Sequence, residues 1–100
     1  MENATFLALR QKTHEIVYYT SPAGYEVDFY LPEARQLIQV AQNMDQPATR
    51  EREVRALLDA MEALSLTSGL ILADSNADTV IKTGFTITIR SLAEWMLEIE

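Results

Sequence analysis

An amphipathic helix followed by an apolar strand constrains the fold of this chain more than any other feature. Residues 50–64 predict the helix, because apolar side chains recur there at helical spacing. The members of this stripe are Val54, Leu57, Leu58, Met61 and Leu64. Thr49 is the expected N-cap, with Glu51 and Glu53 in the first turn, where the helix dipole favours anions. The run GLILA at residues 69–73 is almost entirely apolar, which is typical of a strand buried on both faces.

Three strands are predicted before this helix. Residues 14–20 are rich in β-branched and aromatic side chains, and residues 25–31 and 36–42 follow as two further strands. The segment SPAG at residues 21–24 predicts a turn, because proline fixes φ and glycine can take a positive φ. A helix over residues 2–11 is expected to precede the strands.

A hairpin and a last helix complete the predicted order. The sequence TVIK-TG-FTITI predicts a hairpin that turns at Thr83 and Gly84. Ser91 and Glu94 form the pattern of a capping box. The stripe of the helix that follows is Leu92, Trp95, Met96 and Ile99. The order is therefore αβββαβββα, and a strand that follows a helix after three strands implies a mixed sheet packed by helices, in the α/β or α+β class.

Composition bounds the domain count and the classes of function. One hundred residues that are 48% hydrophobic predict one globular domain over residues 1–100. We expect no membrane span and a cytoplasmic location, because the chain has no long apolar run and no visible secretory signal. The absence of cysteine excludes disulfides and thiolate metal sites. The net charge of −7 argues against binding of nucleic acid by this chain alone, because such a charge repels phosphates.

Strand alternation places several polar residues. Val27 and Phe29 are predicted on one face of the second strand and Asp28 on the other, which by itself describes an exposed strand face. On the third strand, Gln39 and Ala41 are predicted to share a face.

The arginines of the long helix are explained by ion pairs on its solvent side. The arginines are Arg50, Arg52 and Arg55, and the expected acids are Glu51, Glu53 and Asp59. Arg55 and Asp59 are i, i+4 neighbours and form one expected pair. A role of these arginines in contacting an anion or a nucleic acid is the alternative.

Six stretches of the chain match a known family in the right order. They are EN..F..LR (residues 2–10), YYTSPAGYEVDF (18–29), LIQV (37–40), TREREVRALL (49–58), GLIL (69–72) and ITIRSLAEWML (87–97). With an acid on the second strand, this order resembles the restriction-endonuclease-like PD-(D/E)XK superfamily. More narrowly, the chain resembles a domain of unknown function that lies C-terminal to AAA-type ATPase modules in bacteria and archaea. The resemblance implies a restriction-endonuclease-like sheet and a unit equivalent to the C-terminal domain of a longer ATPase.

The resemblance also implies a degenerate active site. In active members, an acid on the first helix, an aspartate on the second strand and a Glu-x-Lys on the third hold a divalent cation and its attacking water. Glu2 and Asp28 match the two acids, whereas Gln39 and Ala41 stand in place of the third acid and the lysine. Glu2 and Asp28 are then the remaining metal ligands, with weak or absent binding, and no cofactor is expected.

The implied function is that of a non-catalytic accessory or interaction domain, with an AAA-type ATPase or another protein as its partner. The alternative is a Mg²⁺-dependent nuclease acting on DNA through Glu2, Asp28 and Gln39. A nuclease acting alone is expected to show a basic face around Asp28. An interaction module is expected to show an apolar patch, for which residues 92–99 and the final hairpin are the candidates.

Overall fold

The structure, a computed structural model, describes residues 2–10, 15–74 and 77–99, with side chains for all of them except 2–4 and 99. Within these ranges, three helices and six strands occur in the predicted order. They are α1 (Glu2–Arg10), β1 (Val17–Thr20), β2 (Glu26–Leu31), β3 (Gln36–Ala41), α2 (Pro47–Ala63), β4 (Ser68–Ala73), β5 (Asp78–Lys82), β6 (Phe85–Ser91) and α3 (Leu92–Ile99). The predicted mixed sheet flanked by helices is confirmed.

The strands form one mixed sheet in the order β1-β2-β3-β4-β6-β5. β4 runs parallel to both of its neighbours, β3 and β6, and the other neighbouring strands are antiparallel. Leu70 and Leu72 of β4 pack on one face of the sheet, and Ile71 and Ala73 pack on the other. The prediction of a strand buried on both faces is therefore confirmed.

Helix α2 covers one face of the sheet. Val54, Leu57 and Met61 of its predicted stripe are buried there, while Leu58 and Leu64 are only partly buried. The buried face is completed by Ala56 and Ala60. A Cβ at Gly69 of β4 would lie 2.9 Å from Cδ2 of Leu57, so the glycine permits the close approach of helix and strand.

Helices α1 and α3 contribute to a second core on the opposite face. Leu9 of α1 and Trp95 of α3 are buried against residues that include Phe29 and Ile38. Phe6 of α1 stacks on Phe29, with ring centroids 6.4 Å apart. The molecule therefore has three layers, with the sheet in the middle.

The predicted start of α2 is wrong. The helix begins at Pro47 with Gln46 as its N-cap, so Thr49 lies inside the helix and Glu51 and Glu53 lie beyond the first turn. Proline suits the first helical position, because its fixed φ matches the helix and its missing N–H would have no partner there. No helix among the described residues is long and apolar enough to cross a membrane.

The hairpin and the cap of α3 follow the sequence. Thr83 and Gly84 both have a positive φ, 42° and 86°, as a two-residue turn between antiparallel strands requires. The backbone N–H of Glu94 donates to Oγ of Ser91 at 3.4 Å, which is half of the predicted capping box.

The predicted alternation of β2 is wrong at one point. Val27 and Tyr30 contact the core on the α2 side, whereas Phe29 and Leu31 contact the core on the other side. The register between β1 and β2 shifts along the same stretch. An extra residue in a strand, a β-bulge, changes the face of the side chains that follow it. Val27 and Phe29 therefore lie on opposite faces, not on one face as a strict period of two requires.

Candidate functional site

Asp28 and Gln39 lie side by side where β2 and β3 stop pairing through their backbones. Among the described residues, the ladder between these strands runs from the pair Phe29–Ile38 to the pair Leu31–Gln36. Asp28 and Gln39 follow directly beyond its first pair. The prediction that the two strands pair is confirmed, and both side chains line the same cleft.

Beyond the pair Phe29–Ile38, hydrogen bonds from backbone to side chain join β2 and β3. The backbone N–H of Asp28 donates to Oε1 of Gln39 at 2.9 Å, and the backbone N–H of Val40 donates to the Asp28 carboxylate at 2.8 Å. Each strand thus supplies a side-chain oxygen to the backbone of the other. Because buried backbone donors need partners, these bonds replace the missing ladder. We call this arrangement the β2–β3 cross-link.

The amide nitrogen of Gln39 ties the cross-link to α2. It donates to Oε2 of Glu53 at 2.7 Å and to the backbone oxygen of Glu26 at 3.4 Å. Gln39 is only 6% exposed, so its amide has little access to water. The two ends of the amide are distinguished by their partners, since one meets a donor and the other meets acceptors. This geometry suits an amide, whereas an ionised carboxylate of the same shape lacks the donor that Glu53 and the Glu26 carbonyl accept.

An open cleft of about 380 Å³ lies over the β2–β3 cross-link. It is lined by Gly24, Tyr25, Glu26, Asp28, Gln39, Val40, Arg52, Glu53 and Ala56. Arg52 contacts Glu53 across 3.5 Å and is mostly exposed. The cleft thus carries both signs of charge at its rim.

Two of the side-chain oxygens in this cleft already accept backbone hydrogen bonds. Hard cations bind carboxylate oxygens, but a carboxylate oxygen of Asp28 and the amide oxygen of Gln39 both accept backbone N–H groups. Ala41 offers no donor and is 5% exposed in the α2-side core. Glu2 lies in α1, and its side chain is outside those that the structure describes. Among the described residues, no three His, Cys, Asp or Glu side chains group closely enough to hold a metal ion.

Glu53 is the member of the site that the sequence prediction missed. Its side chain is 17% exposed, and it hydrogen-bonds Gln39. Glu53 precedes Leu57 by one helical turn, so it lies on the edge of the buried face. A glutamate at that spacing is the signal that would have placed it near the sheet.

A second cleft, of about 610 Å³, lies between α2 and β5. Val54, Leu58 and Val80 contribute its apolar lining, and Asp59 lines it as well. The predicted ion pair between Arg55 and Asp59 is wrong, because Arg55 instead approaches Glu51 one turn earlier, at 3.2 Å. Oδ2 of Asp59 is buried without a hydrogen-bond partner in the described part of the chain.

An ion pair joins α2 to β5 beside this cleft. Arg50 and Asp78 approach within 2.6 Å. The backbone N–H of Thr79 and then the guanidinium of Arg50 hold the pKa of Asp78 below its ordinary value. Asp78 therefore stays ionised and fixes the start of β5 to the helix.

The chain is without a match in three kinds of comparison with known proteins. No protein-family model matches it, and searches of curated proteins and of solved structures return no match.

Proposed function

We propose that this chain is a non-catalytic accessory domain of the restriction-endonuclease-like kind, which binds a protein partner such as an AAA-type ATPase. One observation carries the proposal. Gln39 stands at the position of the third nuclease acid, and both ends of its amide are hydrogen-bonded. The oxygen accepts from Asp28 within the β2–β3 cross-link, and the nitrogen donates to Glu53 of α2 and to the backbone of Glu26. A side chain held in this way stabilises the strand junction and is not free to bind a metal.

The chemistry of phosphodiester hydrolysis supports the same conclusion. A hard cation requires several oxygen ligands, of which carboxylates are the strongest. Gln39 stands in place of one carboxylate. Ala41 stands in place of the lysine that orients the attacking water and offsets charge on the phosphate. The loss of one such electrostatic group typically costs about 10²–10³ in rate. Both losses together remove the basis for cleavage.

The distribution of charge also supports a partner other than nucleic acid. The net charge is −7, and each of the arginines in α2 approaches an acid. The pairs are Arg50–Asp78, Arg52–Glu53 and Arg55–Glu51. Paired bases contribute little to the field that attracts a polyanion. This helix therefore lacks the unpaired basic surface expected of a nuclease acting alone.

Two measurements test whether the protein is a nuclease: metal titration monitored by amide chemical shifts, and incubation with labelled DNA. Mg²⁺ or Mn²⁺ is expected to cause no saturable shift at Asp28, Gln39 and Val40, and labelled DNA is expected to stay intact. Metal-dependent cleavage by the unmodified protein, lost on Asp28→Ala, would overturn the proposal in favour of a nuclease.

A pair of variants tests whether the site is a converted metal position. Gln39→Glu alone brings a carboxylate against Glu53, so it is expected to destabilise the protein and to bind no metal. Gln39→Glu with Glu53→Gln removes the like charge while keeping an acid on β3. Metal binding regained by the double variant supports the conversion, and no regained binding argues against it. Both variants keep Ala41, because a lysine there would bury an ammonium in the apolar core.

Direct titration tests the partner. The chain is expected to bind an AAA-type ATPase of the same genome saturably, with wild-type affinity retained in Asp28→Ala. An absence of saturable binding to such ATPases contradicts this part of the proposal.

A further inference from the structure

The outer edge of β5 differs from the other described edge of the sheet. β1 has four residues and lies beside the register shift of β2. β5 has five residues in unbroken register with β6, from Asp78–Ile89 to Lys82–Phe85. Native proteins protect sheet edges with short strands, bulges and charged side chains. A register shift lies beside β1, whereas β5 has none.

The backbone of β5 offers hydrogen bonds outward. The N–H of Thr79 is bound by the carboxylate of its own neighbour Asp78, at 2.8 Å, and so does not point to β6. Backbone groups alternate in direction along a strand. The N–H and C=O of Ile81 therefore point outward as well, whereas those of Val80 and Lys82 point to β6.

The charged side chains of β5 are arranged symmetrically about Val80. Asp78 and Lys82 stand at its two ends, with Val80 midway. Val80 packs against the α2-side core, and by alternation the two charged residues share that face. Ile81 lies on the opposite face and is 73% exposed.

We propose that the outer edge of β5 is a self-association surface, on which a second copy of this chain adds its own β5 antiparallel to the first. In the self-complementary register, Val80 lies opposite Val80 of the second copy on the two-fold axis. Thr79 then lies opposite Ile81 of the second copy, and both have backbone groups that point outward. The sheets of the two copies join into one.

Charge complementarity favours this register and a second copy of the chain as the partner. Asp78 of each copy lies opposite Lys82 of the other, so the pairing makes two ion pairs between opposite charges. These positions form non-hydrogen-bonded pairs, in which side chains approach most closely. Opposite charges across strands stabilise a pair, and like charges destabilise it. A shift by two residues would place a charge opposite Val80 and lose this match.

The pairing also gives the outward-pointing backbone groups of β5 hydrogen-bond partners. The N–H of Thr79 exchanges its carboxylate partner for the carbonyl of Ile81 in the second copy. Asp78 keeps its contact with Arg50 and gains Lys82. Because a contact of five residues per copy is small, the dissociation constant is expected in the micromolar range or above. This inference does not depend on the proposed function.

Sedimentation equilibrium up to millimolar concentration tests the inference, with Ile81→Pro as the first variant. Proline removes the outward N–H and leaves the ladder to β6 intact. Association is expected to weaken by about tenfold or more, since each copy loses one hydrogen bond to the other, two in the dimer, and the ring adds a clash. Ile81→Thr, which keeps the N–H, is the matched control and is expected to retain association.

Charge exchange and an intermolecular contact test the register. Lys82→Asp is expected to weaken association. Lys82→Asp with Asp78→Lys is expected to restore it when Arg50→Glu is added, which keeps an ion pair between α2 and β5, with circular dichroism confirming the fold of each variant. In a half-labelled sample, a filtered nuclear Overhauser effect is expected between Val80 Hα atoms of the two copies. A wild-type protein that stays monomeric at millimolar concentration overturns the inference. So does association that is indifferent to Ile81→Pro, or a charge exchange that fails to restore it.

Discussion

Helix α2 contacts the sheet in two different ways within a few residues. Leu57 and Met61 pack against Gly69 of β4, where a single added carbon has no room. One turn earlier, Glu53 hydrogen-bonds Gln39 of the β2–β3 cross-link. The first contact depends on volume, because buried apolar area stabilises it. The second depends on which atoms donate and accept. A substitution that conserves volume should therefore separate the two regions.

The largest effect is expected in the apolar contact. Leu57 is fully buried, so Leu57→Ala should lower the free energy of unfolding by about 2–5 kcal/mol, measured by denaturant titration. Leu58 is only partly buried and serves as the matched control. Equal losses in Leu57→Ala and Leu58→Ala would show that the helix presents a different face to the sheet.

The next effect is expected in the cross-link. Gln39→Met keeps the length of the side chain but removes the acceptor for the Asp28 N–H and the donor to Glu53, at an expected cost of about 1–3 kcal/mol. The comparison is Leu57→Met, a volume-conserving change that should cost less than about 1.5 kcal/mol. If Gln39→Met proves as stable as the wild type, the cross-link acts by packing alone and the contrast disappears.

The smallest effect is expected from one added methyl group. Gly69→Ala should cost about 1 kcal/mol, because overpacking against Leu57 is partly offset by the lower conformational freedom of alanine. Leu57→Val should relieve part of that cost in the double variant, measured as a coupling free energy. Gly24 has a positive φ of 92° and open space around its Cβ position, so Gly24→Ala should show no coupling to Leu57. Additive losses for the first pair would indicate that the backbone moves instead of Leu57.

The apolar region could be predicted from the sequence and the polar region only in outline. A stripe at helical spacing predicts a buried face, and Val54, Leu57 and Met61 are indeed buried. The order of elements and the hairpin turn follow from equally local signals. The bulge near Asp28 has no such signal, because it arises from the pairing of two strands. Helical spacing places Glu53 near the sheet, but its contact with Gln39 has no local signal, because the two residues lie on different elements.

The N-cap shows a different limit. Thr49 is a good capping residue by type, but Pro47 stands before it and starts the helix earlier. Two local signals conflicted there, and the stricter backbone constraint decided the outcome.

The position of β4 between β3 and β6 has a consequence for how quickly the chain reaches this fold. Neither neighbour of β4 is close to it along the chain, since Leu70 pairs with Ile38 on one side and with Thr88 on the other. Two loops must close, at a cost in chain entropy, before the central strand is paired on both sides. The domain should therefore fold more slowly than a helical bundle of its size, with β4 among the last elements to become protected from hydrogen exchange during refolding.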